Sequence, residues 1–78
     1  MATSAQSRTP VLPRLTERRE AVGLTKSELA RRMDVNFSAV FRWETGDAAP
    51  AAEKLSPLAD VLECSLDYLF GRTPNVSG

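Results

Sequence analysis

Apolar residues recur along this chain at intervals of three and four, in short blocks separated by turn residues, which is the pattern of several short amphipathic helices. Leu12, Leu15 and Val22 mark the first block, with Arg19 in line with them. Pro10 and Pro13 suit an opening turn whose amides have no intrahelical partner, and Gly23 suits a left-handed exit. A first helix from these prolines to Gly23 is therefore predicted, with Arg19 on its buried face. A guanidinium there must find a carboxylate or bear the cost of lost water, so an acid elsewhere should meet it.

The next block is the most informative. Thr25 followed by Glu28 is a capping box, and Leu29, Ala30 and Met33 share one face of the helix it starts, about Lys26 to Met33. Asp34 occupies the turn, where a short polar side chain makes a left-handed backbone tolerable. Val35 can plug the angle between two helices. Asn36 is a second good N-cap, Val40 and Trp43 form the apolar face that follows, and Thr45-Gly46 ends it. Two short helices joined by a turn of roughly three to four residues form a helix-turn-helix, whose second helix can lie in a DNA major groove.

The remainder reads more plainly. Asp47 to Pro50 is a loop by composition, and Leu55, Leu58, Ala59 and Leu62 line a fourth helix. Pro57 lies within it, so the helix either starts there with Ser56 as cap or starts near Ala51 and distorts; the early start is favoured. Ser65 caps a short last helix through Phe70, and Gly71 closes it. The expected organisation is a disordered arm over residues 1–9, a helix-turn-helix domain over 10–71 and a flexible tail over 72–78. The arm is either an unstructured leader or a segment that reaches into DNA.

Composition narrows the function. The 78 residues suffice for one small domain; histidine is absent and Cys64 is the single cysteine. An internal disulfide is excluded, the side chains for a zinc site are missing, and the commonest general base is not available. Cys64 itself reads as a small buried residue. No enzyme, cofactor or small-molecule substrate is expected. No apolar run approaches the roughly 18 residues of a membrane span, nor is there a signal-peptide core, so no membrane partner is expected and a cytoplasmic location fits. The formal net charge is zero, but it is polarised: residues 1–46 carry +3 and residues 47–78 carry −3. The positive half holds the helix pair, where phosphate attraction requires it.

These residues resemble the lambda-repressor/Cro (XRE-type) DNA-binding domain family. The similarity rests on Gly23-Leu24-Thr25, Ser27-Glu28-Leu29-Ala30, Val35-Asn36, Trp43-Glu44-Thr45-Gly46 and Ser65 to Gly71, in one register over roughly residues 11–71. The resemblance implies an all-α, compact five-helix fold with its helix-turn-helix at helices 2–3, and docking of helix 3 in the major groove. It implies that Glu44 is the acid for Arg19. It places Phe37, Ser38 and Arg42 at base-contacting positions and Lys26 at a backbone-contacting one. Helical phase from Val40 turns Ser38 and Arg42 outward and sets Phe41 and Thr45 obliquely; Phe41 is counted with the expected base contacts, and Asn36 and Thr45 suit phosphates. Arg42 can grip guanine O6 and N7 together, whereas Ser38 specifies weakly. Trp43 belongs to the core.

Two departures stand out: Asp34 occupies a position where relatives favour glycine, and Phe37 and Phe41 replace polar residues. The rings could meet thymine methyls, Phe37 could fold onto the core, or both could form an apolar patch for a protein. The leading expectation is a transcriptional regulator, a repressor before an activator, located with the nucleoid when bound. It would bind double-stranded DNA as a homodimer on a near-palindromic operator, because one recognition helix covers too few base pairs. Leu66, Tyr68, Leu69 and Phe70 are the expected contacts between protomers. The competing expectation is an antitoxin-like or anti-repressor-like module that uses the same face to bind a protein.

Overall fold

A computed structural model describes residues 10–77. Five helices follow in order: α1 (Leu15–Ala21), α2 (Lys26–Met33), α3 (Phe37–Thr45), α4 (Ala52–Val61) and α5 (Leu66–Leu69), and the described residues include no strand. α2 packs on both α3 and α4, α1 packs on α3, and α4 packs on α5. Leu12, Leu15, Leu29, Val40, Leu58, Leu62 and Leu69 are completely enclosed, with Ala30, Met33, Trp43, Ala59 and Tyr68 beside them. Truncating one of these leucines to alanine removes about 2–5 kcal/mol, a large share of what so small a domain has.

α1 begins later than the prolines suggest. Pro13 lies in a turn before the helix, where the Leu15 amide donates to the Leu12 carbonyl (3.1 Å) and the Arg14 amide to the Leu69 carbonyl (3.4 Å). Leu12 is 1 % exposed, so burial fixes this segment before regular structure begins. α2 carries the complete capping box: the Glu28 amide donates to Thr25 Oγ1 (3.0 Å) and the Thr25 amide to Glu28 Oε1 (2.8 Å). α3 starts at Asn36 without a side-chain cap bond, so Asn36 marks the position but does not use its amide there. α4 runs through Pro57 from an N-cap at Ala51. Pro57 and Glu53 are both exposed, so water can serve the Glu53 carbonyl that loses its donor.

Each helix exits through one residue of positive φ: glycine at 23, 46 and 71, but Asp34 (φ 59°) after α2 and Glu63 (φ 57°) after α4. The two non-glycine exits each receive a cation from another element. Lys54 Nζ donates to the Met33 carbonyl (3.1 Å), while Arg18 Nε donates to the Leu62 carbonyl (2.8 Å) and Arg18 Nη2 to the Glu63 carbonyl (3.0 Å). Cations at helix C-termini satisfy orphan carbonyls and favour the helix dipole. Such bonds offset the strain of a left-handed side-chain-bearing residue.

The C-terminal residues do not simply fray. The Ser65 amide donates to the Val76 carbonyl (2.8 Å), and Val76 packs half-buried against the core. An isolated valine in a polar run gives no periodic signal, which is why the segment reads as a tail. The expected arm over residues 1–9 lies outside the described residues.

Candidate nucleic-acid interface

The site is built on α3, and its rear is fixed by charge as well as by apolar packing. Val40 and Trp43 enter the core, at 0 % and 5 % exposed. Beside them Glu44 turns inward, with its side chain 5 % exposed. Arg19, itself 6 % exposed, meets it there. Arg19 Nε donates to Glu44 Oε2 (2.6 Å), Nη2 donates to Oε1 (3.3 Å), and Nη1 donates to the Leu24 carbonyl (2.8 Å). Both guanidinium edges are therefore used, and every buried side-chain nitrogen and oxygen among the described residues has a partner. α1, the turn after it and the end of α3 become one unit.

The front of α3 is open. At about 100° per residue from Val40, Ser38 and Arg42 point opposite the core, and both are exposed. No ion pair or hydrogen bond of the Arg42 guanidinium closes within the described residues, so its fork is available to an outside acceptor. Asn36 is exposed at the helix start. Phe37 and Phe41 are 51 % and 46 % exposed, and their rings stack on one another with centroids 6.5 Å apart and planes 22° from parallel. Phe37 thus does not fold onto the core; at the first helical position its side chain has passed the edge of the packed interior.

Two expected contacts, Lys26 and Thr45, have other engagements. Lys26 Nζ lies 4.0 Å from Glu44 Oε1, half-buried, so it shares the carboxylate that holds Arg19. With a third of its side chain exposed and three donors on the ammonium, it keeps capacity for a phosphate beside that contact. Thr45 Oγ1 lies 3.1 Å from Asp47 Oδ2 and 3.3 Å from the Arg42 carbonyl, two acceptors that share its single hydroxyl proton. A phosphate at Thr45 would compete with a carboxylate for that proton. Asp34, exposed in the turn, adds a further negative charge.

The expected protomer contact on α5 needs correction. Leu69 is fully enclosed and Tyr68 is 5 % exposed, so neither can meet another protomer from this fold. Tyr68 faces α1 instead: its hydroxyl donates to Glu17 Oε2 (3.2 Å), and Arg14 stacks over its ring at 5.0 Å. Leu66 and Phe70 are half-buried and pack against the core. A helix of only four residues buries most of its apolar side chains simply by closing the domain. Arg18 and Lys54, which cap helix ends, carry no distinguishing spacing in the sequence and were not among the expected site residues.

Among the described residues no group of three or more His, Cys, Asp or Glu side chains could hold a metal, and no helix is long and apolar enough to cross a membrane. Cys64 is half-buried; burial pushes its thiol above the usual range, with the nearby Arg18 opposing the shift.

Known proteins place this geometry in context. A family model described as "Helix-turn-helix" matches residues 15–69, from the start of α1 to the end of α5. The cryptic phage CTXphi transcriptional repressor RstR of Vibrio cholerae is 34 % identical over 59 residues, covering 76 % of this chain and 53 % of the relative. The HTH-type transcriptional regulator DicA of Escherichia coli is 36 % identical over 59 residues, covering 74 % of this chain and 44 % of the relative. An uncharacterized transcriptional regulator in the ATPase CF(0) region of Rhodospirillum rubrum is 35 % identical over 57 residues, covering 73 % and 53 %. The chain thus spans about half the length of the curated relatives it matches. No solved structure shows a significant match. With its five helices, its capped α2, the tight turn at Asp34 and the matched span from α1 to α5, this chain belongs to the XRE-type helix-turn-helix family.

Proposed function

We propose that the chain is a DNA-binding transcriptional regulator, a repressor before an activator, that lays α3 in the major groove of double-stranded DNA. The observation that carries this reading is the two-sidedness of α3: Arg19 and the core hold its rear through Glu44, Val40 and Trp43, while Ser38 and Arg42 stand exposed in front. A recognition helix needs that rigidity, because base readout depends on side chains held in register with the groove. Arg42 supplies a bidentate grip on guanine, and Ser38 a weaker contact to several bases. Asn36 and the open amides at the start of α3 suit a phosphate, as does the partly exposed Lys26. Two of the relatives, one a transcriptional repressor and one a transcriptional regulator, support the same reading.

One α3 covers too few base pairs for genomic selectivity, so binding as a homodimer on a near-palindromic operator completes the proposal. The test is a selection from random duplexes followed by a salt titration. A symmetric consensus and a steep fall of log K with log salt are expected. Weak, salt-insensitive association with every duplex would refute the assignment.

A second reading, a protein-binding module using the same face, is favoured by the exposed Phe37–Phe41 pair. It predicts little DNA binding at any salt.

A further inference from the structure

We infer that Lys54, on α4, is a positioning residue for the recognition helix: through the Met33 carbonyl it holds the turn at Asp34 that sets α3 against α2. The inference rests on the DNA-binding reading above and deepens it. Three of the last four carbonyls of α2 receive a donor from beyond the helix: Ala30 from the Val35 amide (3.0 Å), Arg31 from the Asp34 amide (3.2 Å) and Met33 from Lys54 Nζ (3.1 Å). The first two bonds are local. The third comes from another helix and lands on the carbonyl directly before Asp34. Asp34 stands at φ 59° and ψ 47°, a left-handed conformation that costs a side-chain-bearing residue free energy. The chain passes from α2 to α3 through Asp34, Val35 and Asn36 alone, so the geometry of this turn sets the pose of α3.

Lys54 is placed badly for its own helix. It lies in the first turn of α4, where the helix dipole disfavours a cation, and it shares residues 47–78 with only one other, Arg72. Its ammonium instead serves the C-terminus of α2, where the dipole favours positive charge, across the contact between α2 and α4. Met33 is 4 % exposed, so its carbonyl has little access to water as a substitute. Without the ammonium, an unpartnered carbonyl and a left-handed Asp34 both press the turn to relax, and α3 turns with it. Phosphate attraction tolerates such a rotation. Base readout does not, because it needs side chains held in register with the groove.

The experiment uses the full chain and takes the ratio of its affinities for a duplex selected from a random pool and for a random duplex, well below the melting temperature of each variant. Lys54→Met keeps the side-chain length and removes the ammonium. It should lower the ratio about tenfold, on the scale of one charge-assisted hydrogen bond. The salt dependence should stay unchanged, because Lys54 serves α2 and not a phosphate. Lys54→Arg, which keeps a cationic donor, should hold the ratio. Asp34→Gly supplies the rescue: glycine adopts the left-handed turn without a side-chain penalty, so in that background Lys54→Met should change the ratio little. The lost Asp34 charge acts on both duplexes alike and cancels in the ratio. A Lys54→Met variant that melts lower but keeps the ratio overturns the inference and leaves Lys54 a structural cap. So does a ratio that falls equally in both backgrounds. A salt slope reduced by about 1 also overturns it, since Lys54 would then be a phosphate contact. If no duplex is selected at all, the DNA-binding reading itself falls, and this inference with it; a selected duplex whose ratio ignores Lys54 sinks the inference alone.

Discussion

Arg19 on α1 and Glu44 on α3, twenty-five residues apart, close a two-pronged ion pair with both side chains at 7 % exposure or less. Removing one partner leaves a buried charge without compensation, at a cost of about 3–5 kcal/mol. Arg19→Met and Glu44→Leu should each lower the unfolding free energy obtained from urea titration by that amount. The double variant should lose less than either single one, since two apolar groups need no water. Equal or additive losses would mean that the pair is not closed in solution.

Base choice and general affinity should separate by residue. Arg42→Ala is expected to cost about 1–3 kcal/mol at one base pair and to relax selection there. Lys26→Ala should weaken selected and random duplexes alike and flatten the salt dependence. Fluorescence anisotropy on both duplexes distinguishes the two. A Lys26 variant with unchanged affinity would show that this ammonium stays with Glu44.

The exit of α4 offers a stabilising change. Glu63 holds φ 57°, and a left-handed side-chain-bearing residue costs about 1–2 kcal/mol. Glycine's own freedom takes back about 0.5–1 kcal/mol, so Glu63→Gly should gain roughly 0.5–1 kcal/mol in thermal unfolding. Arg18→Met should act in the opposite direction by about 1–3 kcal/mol, because charge-assisted bonds to the Leu62 and Glu63 carbonyls are lost.

The capping box predicts an acid limb to stability. The Thr25 backbone amide, and after it the Thr25 side chain, hold the Glu28 carboxyl below its usual value of 4.5. A carboxyl depressed in the folded state contributes stability that is present above its unfolded value and lost as pH falls through the folded one. Urea midpoints measured from roughly pH 6 to pH 3 should therefore decline, and Glu28→Gln should decline less while keeping the bond to Thr25. Identical slopes would assign the acid limb to other carboxyls.

What could be read from sequence follows from how local each cause is. The five helices, the capping box at Thr25 and Glu28 and the left-handed tolerance at Asp34 depend on neighbours within a turn. The outward phase of Ser38 and Arg42 follows from Val40 and Trp43 by helical geometry alone. Arg18 and Arg19 show where such reading ends. They are adjacent in sequence, yet one caps α4 and the other reaches Glu44, and only the crossing of α1 with its neighbours separates them. Tyr68 and Leu69 fail for a related reason: a four-residue helix has no periodicity from which a buried face can be recognised.

The pinned rear of α3 also makes its front rewritable. Positions 37, 38, 41 and 42 contribute little to the interior, so a library randomised there without proline or glycine should melt near the parent temperature whatever it binds. The domain is thus a frame into which new targets can be programmed without refolding the scaffold.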